Sequence, residues 1–162
     1  MKKLTLFVAI ALVSASCSMG TKKDLKTGLK VSYQGFTIGE SGLLNDAGER
    51  INNNQVIYGK QISIAVDNIE GWELKDGRAF PGLDLVVTAN DDVVVLEGRD
   101  ILADQGGMEP EKASTLTGTI TAGNPMKAGE TYHAKMKIWD KNNSKNEINA
   151  EVDIVVTENN GI

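Results

Sequence analysis

Cysteine is almost missing from this chain: among 162 residues there is one, Cys17. A lone cysteine in an exported protein cannot close an intramolecular disulfide, which excludes a disulfide scaffold. Histidine is equally scarce, with His133 alone. One cysteine and one histidine exclude a zinc site of nitrogen and sulfur ligands. The three prolines are too few for a low-complexity stalk. No apolar run reaches the roughly 20 residues that a membrane-spanning helix needs. The longest, Leu4 to Val13, has ten. Gly-x-Ser-x-Gly, Walker and dinucleotide-binding patterns are absent, and with them the usual signatures of catalysis. Clustered lysine and arginine are absent too, which argues against nucleic acid and against electrostatic adhesion to anionic lipid. The expectation is a protein that is not an enzyme.

What is present begins at the N-terminus. Lys2 and Lys3 precede the apolar run, and the small residues Ser14, Ala15 and Ser16 lead into Cys17. This charged, then apolar, then small-residue order is that of a secretory signal peptide. The segment Val13-Ser14-Ala15-Ser16-Cys17 resembles the lipobox of bacterial lipoproteins. Ala15 and Ser16 fit that pattern, and Ser14 stands where the family usually has leucine. The resemblance implies cleavage before Cys17, a diacylglycerol on its thiol and often an acyl chain on its new amino group. Two or three chains anchor stably where one is marginal. Ser18, in place of an aspartate, implies the outer membrane by similarity to enterobacterial lipoproteins. The alternative is ordinary secretion, with Ser14 and Ser16 flanking an A-x-A-like cut and Cys17 left as a free thiol.

Cleavage after residue 16 leaves one domain-sized piece of 146 residues. Loss of Lys2 and Lys3 from the 17 basic residues leaves 15 against 22 acidic ones, a formal charge of −7. Residues 17–28 are polar and read as the lipidated N-terminus and a flexible tether. Residues 29–158 then form the folded domain.

Within that domain the period is two, the period of β-strands. Leu29, Val31 and Tyr33 alternate with polar residues, and Gly35 shifts the phase, as at a bulge. Ile62, Ile64 and Val66 mark a half-buried strand, and Leu83 to Ala89 with Val93 to Leu96 read as a hairpin. Asp67 to Arg78 is a long loop, and Glu109 to Ser114 holds one helical turn beginning around Pro110. The clearest hairpin is the last, Tyr132 to Trp139 and Ile148 to Val156 around a polar turn. Its charged final strand, with Glu151 and Asp153, and the bulge at Gly35 are expected to protect the sheet edges. The whole predicts an all-β sandwich of seven to nine strands.

Gly129-Glu130-Thr131-Tyr132 and the alternation to Asp140 resemble the last hairpin of immunoglobulin-like domains. The resemblance implies an immunoglobulin-like antiparallel β-sandwich in which Tyr132 forms the tyrosine corner. The chain is also similar to small immunoglobulin-like lipoproteins of Gram-negative bacteria. A motif of this kind carries a fold and not an activity.

Three sets of side chains could carry chemistry. His133 has the parity of a polar strand face, away from any nucleophile, and reads as a surface residue. Asp140 and Asn142, with Asp91 and Asp92, gather oxygen donors at turns, as calcium requires, though Asn and Asp are ordinary turn residues as well. Trp72 and Trp139 could stack on a sugar or meet a protein, or could cover core edges. The expected function is that of a non-catalytic envelope module. It is tethered through Cys17 and contacts an envelope protein or serves as an accessory subunit. The alternative is a surface module that binds glycan or calcium.

Overall fold

The structure is a computed structural model that describes residues 18–159, excepting the side chain of Asp91. The expected signal peptide, residues 1–16, and Cys17 lie outside the described residues.

Among the described residues eleven strands form two facing sheets, more than the seven to nine expected. The larger sheet runs β1 (Met19–Lys23), β2 (Lys30–Gln34), β11 (Glu147–Thr157), β10 (Thr131–Asp140), β7 (Pro81–Thr88) and β8 (Val94–Gly98). A short β5 (Gln55–Ile57) adds to β11 in parallel. The smaller sheet runs β4 (Arg50–Ile51), β3 (Ser41–Leu44), β6 (Gln61–Val66) and β9 (Leu116–Thr121). All other pairings are antiparallel, and the domain is an immunoglobulin-like sandwich. The one α-helical turn among the described residues, α1 (Pro110–Ala113), begins at the proline that the sequence marks.

Alternation along β10 and β11 sends Ala134, Met136, Ile138, Ile148, Val152 and Ile154 into the core between the sheets. Tyr132 closes this hairpin in the expected way. Its hydroxyl accepts the Lys127 N–H at 2.7 Å and donates to the Glu130 carboxylate at 2.8 Å. That is the tyrosine corner.

Expectations about individual segments change as well. First, the stretch taken as a flexible tether is mostly folded. Met19–Lys23 pairs residue for residue with Lys30–Gln34, so the sheet begins ten residues earlier than the expected domain start at 29. The turn between the two strands is built on Asp24. Its carboxylate accepts the Lys26 N–H at 2.9 Å and the Thr27 hydroxyl at 2.7 Å, and Gly28 takes φ +79°. These bonds hold the Asp24 carboxyl below its ordinary value, the Lys26 N–H foremost and the Thr27 hydroxyl next. Polarity suggested a linker, but one face of an outer strand needs no apolar residues to be ordered.

Second, β11 is not an edge. It lies between β10 and β2, with β5 beyond its C-terminal half, so Glu151 and Asp153 face solvent from the middle of a sheet. The edges of the larger sheet are β1 and β8, with the short β5 as a further outer strand beside the end of β11. Third, β6 is buried on both faces, although alternation predicted one. Ser63 meets the Thr119 hydroxyl across the sheet at 2.9 Å. The Arg50 guanidinium lies over Gly42, the cross-strand neighbour of Ala65, and is tied to Asp67.

Gly35 ends β2 rather than bulging it. Its φ of +71° suits glycine, and a Cβ there would collide with the Asn146 side chain.

Candidate functional site

The registers define two ends of the sandwich. Met19, Gln34, Glu147, Trp139 and Gly82 form one cross-strand row near the first end. The Lys141–Asn146 turn and the Asp67–Arg78 loop lie at this same end. Thr88, His133 and Asp153 form a row near the other end, where the chain also reaches Thr157.

At the first end Asp140, Asn142 and Asn146 of the β10–β11 turn are held in hydrogen bonds. Asp140 keeps the core-facing parity of β10 and is buried. One carboxylate oxygen accepts the Glu73 N–H at 2.7 Å, and the other accepts the Asn142 N–H at 2.9 Å. Asn142 donates its side-chain amide to the Glu73 carbonyl at 2.8 Å. The buried Asn146 donates to the Gly71 carbonyl at 2.8 Å. Together they clamp residues 71–73 and seat Trp72 edge-on against Phe36, with ring centroids 4.6 Å apart at 62°. Buried polar groups satisfied in this way rigidify the element that they hold.

The Asp140 oxygens assigned to calcium therefore meet a different need. Asp91 and Asp92 sit in the 3₁₀ turn Asn90–Asp92 after β7, at the opposite end from Asp140 and Asn142. The four residues do not converge. Among the described residues no three His, Cys, Asp or Glu side chains gather as a metal would require.

The two tryptophans also part company. Trp72 is a half-buried lid on the core, and its Nε1 is sealed from solvent without a hydrogen-bond partner among the described residues. Trp139 lies on the outer face of the larger sheet, directly over Gly82, where any Cβ would strike its ring. Around it stand Asp84, Lys137, Ser144 and Glu147, lining a shallow hollow of about 320 Å³, with Lys137 and Glu147 paired at 3.0 Å. Trp139 is thus a platform residue and Trp72 is not.

His133 lies on the same outer face, at the far end. Its Nδ1 is 2.7 Å from the Asp153 carboxylate, and both side chains are open to water. Among the described residues no hydroxyl or thiol is bonded to the ring.

Sequence reasoning missed the anchoring of Ser18. Its hydroxyl donates to the Phe36 carbonyl at 2.6 Å, and its own carbonyl accepts the Gly35 N–H at 2.7 Å. Lys22, on the next turn of the pleat, sends its ammonium to the Ile38 and Gly39 carbonyls. The signal available was the alternation Met19, Thr21, Lys23 against Gly20 and Lys22, too short and too polar to read as a strand.

No known protein family matches the sequence, and no curated protein is recognisably related to it. Among solved structures the chain is similar to the soluble domain of PmoD from Methylocystis sp. ATCC 49242 (Rockwell). The two share 12% identity over 87% of this chain and 98% of that one, with a TM-score of 0.39.

Proposed function

We propose that this protein is a non-catalytic lipoprotein of the bacterial envelope. Cys17 carries the lipid in the outer membrane, and the sandwich acts through contact with another envelope protein or as an accessory subunit. The observation that carries this reading is the signal-like segment ending in Val13-Ser14-Ala15-Ser16-Cys17. A single cysteine at that position, directly ahead of a folded domain, has a clear use as a lipid attachment point. The absence of a catalytic constellation around His133 among the described residues favours a binding role. Val93 and Val94, exposed by 59% and 51% where the chain enters edge strand β8, offer apolar surface to a partner.

Intact mass spectrometry of the mature protein tests the anchor. The expected species begins at Cys17 and carries diacylglycerol, and Cys17→Ser is released from membranes. A mature chain with an unmodified thiol overturns the reading. Crosslinking in native membranes through a photoreactive residue at position 94 tests the contact. Recovery of one defined envelope protein supports it, and recovery of none overturns it.

A second reading, glycan binding, is favoured by Trp139. One indole face rests on Gly82 and the polar side chains Asp84, Lys137 and Glu147 surround it, which suits a sugar ring stacked on the indole with its hydroxyls bonded at the rim. Retention on cell-envelope polysaccharide that is lost in Trp139→Ala would select this reading over protein contact.

A further inference from the structure

We infer that the end of the sandwich formed by Ser18, Met19, the 71–76 loop and the Lys141–Asn146 turn is a membrane-contacting surface that seats the domain upright on the phospholipid headgroups. This rests on the lipidation of Cys17 proposed above and goes beyond it, because an anchor alone fixes neither distance nor orientation.

The argument turns on the length of free chain between lipid and fold. Had residues 18–28 been a flexible spacer, eleven residues would give a root-mean-square reach of about 18 Å and free tumbling at the surface. Instead Ser18 is already bonded through both its hydroxyl and its carbonyl, and Met19 begins a strand with every residue paired. In the sequence only one peptide link separates Ser18 from the proposed lipid-bearing residue. The first residue after the anchor is therefore fixed at one end of the sandwich. Glycerol and acyl chains attached there bring that end, and no other, to the bilayer.

The chemistry of the end suits the headgroup layer. Met19 is exposed by 74% on the outer strand, and Leu74 by 49% in the loop that Asp140 and Asn142 clamp. The charged groups are of both signs: Glu73, Lys75, Asp76, Lys141, whose ammonium is 2.8 Å from the Asp100 carboxylate, and Lys145. Such a surface neither depends on anionic lipid nor is repelled by it. Two apolar side chains would not hold a free domain, but the covalent anchor makes their contact intramolecular, at high effective concentration.

The opposite end, with the Asn45–Gly48 turn, the Asn90–Asp92 turn and the exit of β11, then projects away. The ten residues of β10 set the separation at about 30 Å. The outer face of the larger sheet, with Trp139 low and His133 high, stands roughly along the membrane normal and open from the side.

The test uses the full lipidated protein in vesicles of phosphatidylethanolamine and phosphatidylglycerol, a fraction of which carries a nitroxide headgroup. A fluorophore is attached in Ser144→Cys, at the contacting end, or in Ala47→Cys, at the far end; Cys17 is blocked by its lipid. The expected result is strong quenching from position 144 and none from position 47. Insertion of about ten Gly and Ser residues between Cys17 and Ser18, with a reach of about 17 Å, should abolish the difference. Equal quenching at both positions in protein that floats with the vesicles overturns the upright seat and leaves the anchor standing. Protein that fails to float, with an unmodified thiol by mass, overturns both.

Discussion

Asp140 extends the inward parity of Tyr132, Ala134, Met136 and Ile138 by one step, so its carboxylate must be satisfied inside the fold. Two backbone N–H groups do this, from Glu73 and Asn142. Asp140→Ala leaves both donors without a partner and should cost about 3 kcal/mol, read as a shift in the urea midpoint. Trp72 emission should move to the red as the 71–73 clamp loosens. Tyr132 makes a second residue-scale prediction. Burial raises its hydroxyl pKa above 10.0, with the Glu130 carboxylate adding to the rise. A raised value means that the neutral form is favoured in the fold. The contribution is whole below the ordinary tyrosine range and is lost as pH climbs through the folded value. Tyr132→Phe should therefore lose about 1 kcal/mol at neutral pH and show a flatter alkaline limb, measured by chemical denaturation at a series of pH values.

Among the elements, the β1–β2 hairpin is the one that alters the picture of the molecule. Its turn hangs on Asp24, and the lowered pKa of that carboxyl fixes the sign of the pH effect. Its contribution is present above the ordinary aspartate value of 3.8 and is lost as pH falls through the lower folded value. Asp24→Ala should destabilise by about 1–2 kcal/mol and remove this acid-sensitive part, with faster amide exchange confined to Met19–Gln34. The long alternations of β10 and β11 were legible in the sequence because each carries five inward apolar or buried positions in unbroken register. The hairpin was not legible, because an outer strand buries little and four of its five residues are polar or small. The burial of β6 on both faces was hidden for a related reason. Period two shows which residues face the core, whereas the cover on the other face comes from Arg50 and Thr119, distant in sequence.

For the whole molecule, the first strands pair with the last. Lys30 meets Glu151 at 3.0 Å across 121 residues, and Gln55–Ile57 runs beside Val155–Thr157. Closure of this kind makes the sandwich one cooperative unit, and far-UV dichroism and tryptophan emission should report coincident unfolding transitions. The Asp24 turn and the Tyr132 corner share no hydrogen-bond partner. The double variant Asp24→Ala, Tyr132→Phe should then be additive to within about 0.5 kcal/mol; a larger discrepancy would mean that the hairpin and the corner are coupled.

By itself the sequence determined the all-β class, the final hairpin with its tyrosine corner, the helical turn at Pro110 and the expectation of a lipid on Cys17. These depend on local period, on composition or on a short motif, all of which are written along the chain. Only the tertiary structure decided which polar residues are free to act. Asp140, Asn142 and Asn146 are consumed in clamping a loop some 70 residues away. Trp72 seals the core while Trp139 faces solvent over Gly82. Ser18 is tied to Phe36, so the supposed tether is sheet. A hydrogen-bond partner brought in by long-range pairing leaves no trace in the spacing of neighbours, and on that partner depends whether an oxygen, an indole or a linker remains available for function.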